Sequence, residues 1–395
     1  MVPNYIRKII SGWSNYSCMV ISHKMNENEM GYRGSKSAHK AVKEQRVDGS
    51  WFLARKARSL RCTLMGFERN YQVKIPSKNI HNNKKFSTLT SENISKPLPT
   101  TLDPWYITGL IDGEGSFQIR LRKSSKYKTG WSISPVFSLA LHKCDLPLLK
   151  SVQAYFGGIG SISKSQGDVL KYSVESQKKI SKFIIPHFTN FPLQTQKGAD
   201  FLFFNKVIQI IKVRGHLNYE GVKNIVSIKG AINKGLSEEL LIAFPNINIV
   251  ARPLIQVKKT PNLKWIAGFV EAEGCFKITI SNKPNNRYQV LIVFQITQHS
   301  RDKPLLNILL NYFSCGRLEK DNRKSVIHFS VYKFSDNYGK IIPFFKRNNL
   351  VGQKSLNFKD WCLIGEIIRS GAHLTSKGLE NIKNIRSGMN KGRKF

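Results

Sequence analysis

Two glutamates, Glu114 and Glu273, stand at the same place in two near-copies of one short motif. The copies read ITGLIDGEGSFQI at 107–119 and IAGFVEAEGCFKI at 266–278. An acid in the last turn of a helix sits at the negative end of the macrodipole, and two acids held side by side repel each other. A divalent cation between them relieves both costs, and an oxygen-rich, hard site of this kind suits Mg2+. Either acid alone could be a solvated helix end. The pair, duplicated inside a matching motif, points to metal chemistry. The nine His show no metal spacing, and the six Cys form no C-x-x-C pair. His142/His299 and His216/His373 recur between the copies and are read as packing or backbone-contact residues.

Small residues four apart line each motif: Gly109 and Gly113, then Gly268 and Ala272. This spacing lets two helix backbones approach closely at a crossing. If the copies fold as twins, their motif helices pack side by side and present Glu114 and Glu273 from neighbouring ends.

The likeness runs on past the motifs. At a constant offset of 157, His142-Lys-Cys-Asp145 matches His299-Ser-Arg-Asp302, Gln196-Lys197 matches Gln353-Lys354, and Asn233-Lys234-Gly235 matches Asn390-Lys391-Gly392. A duplicated domain of about 130–150 residues follows, too long for a solenoid repeat. Asp103-Pro104 and Asn262 are placed to start the motif helices, and Gly115 and Gly274 to end them. A strand follows each helix with period-2 alternation: Phe117, Ile119 and Leu121 oppose Gln118, Arg120 and Arg122, and Phe276, Ile278 and Ile280 oppose Lys277, Thr279 and Ser281. A second strand at Phe137–His142, a helix near 146–156, two more strands near 159–164 and 170–175, and helices from Lys197 onward complete the half. The predicted order is α-β-β-α-β-β-α-α, an α+β class with antiparallel sheets. The expected domains are 103–243 and 262–395, joined by a proline-interrupted linker over 244–261. Residues 1–102 show no sustained period and are read as an irregular extension, poorly ordered or removed.

The charge balance is extreme. Sixty-three Lys and Arg face 25 Asp and Glu, a formal +38, and the excess is spread along the chain. A polyanionic partner, nucleic acid, is the usual reason to keep such a field. No apolar run reaches the ~18–20 residues needed to span a bilayer. An anionic membrane surface is the alternative partner, but no Lys-rich amphipathic helix with a strong apolar face stands out, so no membrane partner is expected.

GLIDGEG and GFVEAEG, with the matching downstream stretches HLNYEGVKNIVSIKGAINKG and HLTSKGLENIKNIRSGMNKG, resemble double-motif LAGLIDADG homing endonucleases encoded in fungal mitochondrial introns. The resemblance covers roughly residues 103–395. It implies two pseudo-symmetric α-β-β-α-β-β-α halves whose saddle-shaped antiparallel sheets lie on double-stranded DNA. It implies a monomer with a long asymmetric target site, acting in a mitochondrion. It makes Glu114 and Glu273 the metal-holding catalytic acids, with Gly113 and Ala272 as further metal positions, and Mg2+ as cofactor, with Mn2+ as a substitute. Asp112 and Glu271 are expected to cap or hydrogen-bond. Lys197 and Lys354 are the candidates for basic residues that organise water at the phosphate; a phosphate-contacting rim is the other reading. Gln118, Arg120, Arg122, Lys277 and Thr279 are the candidate base readers, with surface salt contacts as their alternative. The rival function is an RNA maturase assisting group I intron splicing, alone or combined with DNA cleavage.

Overall fold

The computed structural model describes residues 101–257, 259–284, 287–321 and 324–393. The expected irregular extension falls, but for its last two residues, outside them. The described residues all belong to one compact unit.

The first half opens with α1 (Pro104–Glu114). Asp103 caps it, accepting from the N–H groups of Trp105 at 2.8 Å and Tyr106 at 3.4 Å. Pro104 takes the first helical position, where a missing N–H costs nothing. There follow β1 (Gly115–Lys123), β2 (Trp131–His142), α2 (Leu146–Tyr155), β3 (Ser161–Lys164) and β4 (Val169–Val174). The next helix, α3, has three segments: Gln177–Lys179 passes through a π-helical turn, Ile180–Ile184, into Ile185–Asn190. Then come α4 (Lys197–Lys212), α5 (Tyr219–Gly230) and α6 (Glu238–Ala243).

The second half repeats the plan with α7 (Leu263–Glu273), β5 (Gly274–Lys283), β6 (Arg287–His299), α8 (Lys303–Phe313), β7 (Arg317–Asp321) and β8 (Val326–Val331). A second three-segment helix, α9, joins Phe334–Asp336, Asn337–Ile341 and Ile342–Arg347; α10 (Lys354–Arg369) and α11 (Ser376–Ser387) end the half. Asn262 caps α7 through the N–H of Lys264. The three-segment helices α3 and α9 are additions to the order read from sequence. Each contains an Ile-Pro step, which reads as a break. In the structure, Pro186 and Pro343 sit at the N-terminal end of the last segment, where proline is tolerated.

The two four-stranded sheets have the orders β1-β2-β4-β3 and β5-β6-β8-β7, antiparallel throughout. One face of each sheet is core. Phe117 lies among Phe137, Phe188, Phe201 and Phe204, and its counterpart Phe276 among Phe294, Phe345, Phe358 and Trp361. Each such ring adds ~1.5–3 kcal/mol of burial plus edge-to-face contacts. Residues 244–262 form no helix or strand among the described ones. This stretch is tied to the first half through Arg252, whose guanidinium meets Asp200 at 2.6 Å and donates to the carbonyls of Ala231 and Gln196.

Candidate active site

Helices α1 and α7 are buried on nearly every side, Tyr106 to Asp112 in one and Trp265 to Ala272 in the other. A helix apolar all round belongs in a core, and here the core is the seam between the halves. The small residues make the seam possible. A Cβ added to Gly109 would fall 2.1 Å from the Trp265 carbonyl oxygen, and one on Gly268 2.0 Å from that of Tyr106. At Gly113 it would meet Ala272 Cβ at 2.2 Å and Glu273 Cγ at 3.1 Å. The structure therefore brings Gly109, Gly113, Gly268 and Ala272 together, and lays the Glu273 side chain against the last turn of α1, one residue before Glu114. Gly115 and Gly274 do follow the helices, but in extended backbone rather than the left-handed cap glycine often supplies. Glycine is needed there for space: a Cβ would lie 2.4 Å from the Ile111 or Val270 side chain.

Two lysines close the helix ends. Lys197 Nζ donates to the carbonyls of Ile111 at 3.0 Å and Gly113 at 2.6 Å, and Lys354 Nζ to those of Val270 at 3.1 Å and Ala272 at 2.9 Å. The Ile111 and Val270 carbonyls also accept from the Gly115 and Gly274 N–H groups, and an ammonium at these last turns meets the negative end of each macrodipole. Burial pushes both lysines below their ordinary range. The charges of Glu114 and Glu273 oppose that shift at each of them, so the four side chains share one neighbourhood. The carbonyls of Gly113 and Ala272 are thus already bonded to lysine, but a carbonyl has a second lone pair.

The earlier acids of the motifs are structural. Asp112 accepts from the N–H groups of Gln194 and Thr195, the Thr195 hydroxyl, and Trp265 Nε1 across the seam. Glu271 accepts from the N–H groups of Val351 and Gly352 and from the Tyr106 hydroxyl at 2.7 Å, again across the seam. Each acid so fixes the loop that leads to its own half's lysine. Burial raises both carboxyls, Asp112 to about 6.

Among the described residues, no group of three or more His, Cys, Asp and Glu side chains could hold a metal. Two carboxylates and two carbonyls nonetheless fit Mg2+, which keeps several waters and is commonly bound by one or two carboxylates plus substrate phosphates.

The LAGLIDADG endonuclease family model matches residues 107–208 and 266–364, one stretch in each half. The chain belongs to the LAGLIDADG endonuclease family. It is 39% identical over 401 residues to probable intron-encoded endonuclease 3 of Neurospora crassa, covering 96% of this chain and 74% of that protein. It is 33% identical to probable intron-encoded endonuclease 2 of the same fungus, covering 73% of this chain but only 65% of that protein. Among solved structures, the I-SmaMI LAGLIDADG homing endonuclease bound to cleaved DNA shares 44% identity with a TM-score of 0.73, over 74% of this chain and 99% of that one. The same enzyme has been solved on uncleaved DNA in the presence of calcium ions, and as single and double lysine-to-alanine variants.

On the sheet faces away from the core the strand register is fixed by the pairing. Gln118, Arg120 and Arg122 stand on the face of β1 away from the core, opposite Val136, Ser134 and Ser132 of β2. Lys277 and Thr279 stand likewise on β5, opposite Val293 and Leu291. Arg120 is held by Glu175 at 2.7 Å, and Gln118 bonds Ser116. The same registers put Lys171 and Ser173 of β4, and Gln295 of β6 with His328 of β8, on these faces as well. Period-2 alternation with the buried Tyr172, Phe294 and Phe329 is the sequence signal that marks these four. His142 and His299 accept backbone N–H groups at the turns after β2 and β6, the contact role read for them. Among the described residues no helix is long and apolar enough to cross a membrane.

Proposed function

We propose that this protein is a site-specific double-strand DNA endonuclease that serves the homing of its own intron. The observation that carries the reading is the seam itself: Glu114 and Glu273 end two helices in backbone contact, each beside a buried lysine, between two sheets with polar outer faces. Glu114 and Glu273 would hold a divalent cation, Mg2+ with Mn2+ as a substitute, with Gly113 and Ala272 as the further positions beside it. A divalent cation held there would supply Lewis acidity beside the phosphate. Lys197 and Lys354 keep the two carboxylates ionised and orient water beside the phosphate.

Gln118, Arg120, Arg122, Lys277 and Thr279 read base edges in the major groove, where Arg and Lys match guanine and Gln matches adenine. One chain supplies both half-sites, so the working species is a monomer on a long asymmetric site. The kinship with fungal intron-encoded proteins supports a mitochondrial setting. Both motif acids are in place, so the RNA-maturase alternative is not carried further.

The test is incubation of the full chain with a randomised duplex library, with Mg2+ and with EDTA. Double-strand cuts at one long site, only with metal, are the expected result. Tight, salt-sensitive DNA binding without cuts in Mg2+ would contradict the reading.

A further inference from the structure

Asp145 and Asp302 hold equivalent N-cap positions, at the start of α2 and of α8, yet neither side chain caps its own helix. The reason is local. An N-cap side chain normally accepts from the second or third helical N–H. Here the second residue is Pro147 or Pro304, which has no N–H to give, and the backbone of each aspartate (φ −90°, ψ 17° and φ −96°, ψ 15°) is not the extended one of a capping residue.

Each carboxylate instead crosses to the other half. Asp302 Oδ1 accepts from the Gln196 N–H at 2.7 Å, and Asp145 Oδ1 from the Gln353 N–H at 2.8 Å. Gln196 and Gln353 are the N-cap residues of α4 and α10, and neither caps with its own side chain. The first residues of these two 16-residue helices are Lys197 and Lys354. Both acids are buried, Asp145 to 5% and Asp302 to 3% exposure. A buried anion at the positive end of a long helix gains from the macrodipole and from a charge-assisted bond to the N–H. The fit is tight at Gly352, where a Cβ would lie 2.7 Å from both Asp145 Oδ1 and Glu271 Oε1.

We propose that Asp145 and Asp302 are positioning residues exchanged between the halves. Each sets the start of the helix that carries the other half's active-site lysine, so neither lysine is aligned until the two halves dock. This rests on reading Lys197 and Lys354 as active-site groups.

The test uses the full chain as Asp145→Ala and Asp302→Ala, beside Lys197→Ala and Lys354→Ala. Hydrogen exchange is read at 195–199 and at 352–356, and cleavage of the library-selected duplex is followed on each strand separately. Asp302→Ala should speed exchange at 195–199 by about tenfold or more and leave 352–356 within about twofold. Asp145→Ala should do the reverse. Asp302→Ala should slow the same strand as Lys197→Ala, and Asp145→Ala the same strand as Lys354→Ala. The Asn variants keep an acceptor oxygen and should recover most of the protection, which separates lost capping from misfolding. Equal loosening of both segments, no loosening at all, or equal slowing of both strands by an aspartate variant would overturn the proposal. If the lysine variants cut both strands at the wild-type rate, the active-site reading fails, and the exchange pattern still decides on the caps.

Discussion

Lys197 and Gly113, 84 residues apart, are joined by a hydrogen bond of 2.6 Å from the ammonium to the carbonyl one residue before Glu114. Lys354 and Ala272 repeat the relationship before Glu273. One side chain therefore finishes a helix and stands beside the acids. Lys197→Met should leave two carbonyls without this donor, lowering stability by about 1–3 kcal/mol. It should slow cleavage on the order of a hundredfold, since a preorganised positive donor is lost. Chemical denaturation and single-turnover cleavage measure the two effects.

The seam between the halves tolerates no added carbon. Gly109→Ala and Gly268→Ala would each drive a Cβ into a carbonyl of the facing backbone, which cannot rotate away. Each should cost about 3 kcal/mol or more, at the upper end for overpacking. Gly339→Ala is the control, because a Cβ there meets nothing within 4 Å. Its melting temperature should stay at or above the wild-type value while those of the seam variants fall by several degrees.

His187 provides a pH test that the duplication has set up. It is buried, with its ring nitrogens against the Thr108 and Tyr155 hydroxyls, and the matching residue of the second half is Phe344. Burial lowers its pKa from 6.5 to about 4. The folded state then binds fewer protons than the unfolded state, so the contribution to stability is present above pH 6.5 and is lost as pH falls toward 4. The wild type minus His187→Phe difference in unfolding free energy should drop by on the order of 3 kcal/mol across that window. Urea titrations of both proteins at a series of pH values check this. A difference that does not change with pH would mean that His187 is not held neutral.

Arg120 and Glu175 separate recognition from stability. Their ion pair is partly exposed, so Glu175→Ala should change stability by less than about 1 kcal/mol. It frees Arg120 and removes a negative charge, so DNA should bind more tightly and with a steeper salt dependence. Arg120→Ala should relax preference at one base pair, worth about 1–3 kcal/mol. Binding to a set of single-base variants across a salt series distinguishes the two.

Much of this was legible in the residues because the information is local or repeated. Asp103, Pro104 and Asn262 mark the helix starts, the alternation around Phe117 and Phe276 marks the faces of β1 and β5, and the duplication made a pair of Glu114 and Glu273. What was not legible depends on contacts far apart in the chain. The π-helical turns hide the continuity of α3 and α9 behind an Ile-Pro step. The repeat of Asp145 and Asp302 was visible, but Asp145 bonds a partner 208 residues away and Asp302 one 106 residues away. Gly115 was placed rightly for a wrong reason, since its role is space beside Ile111 and not a left-handed turn.

The most direct test of the central claim compares Glu114→Gln and Glu273→Gln with the wild type on the library-selected duplex. Cleavage is read in Mg2+ and binding in EDTA. The paired-carboxylate site predicts that each single variant binds the duplex within several-fold of wild type and makes no double-strand cut. Double-strand cutting at near wild-type rate by either variant would contradict it.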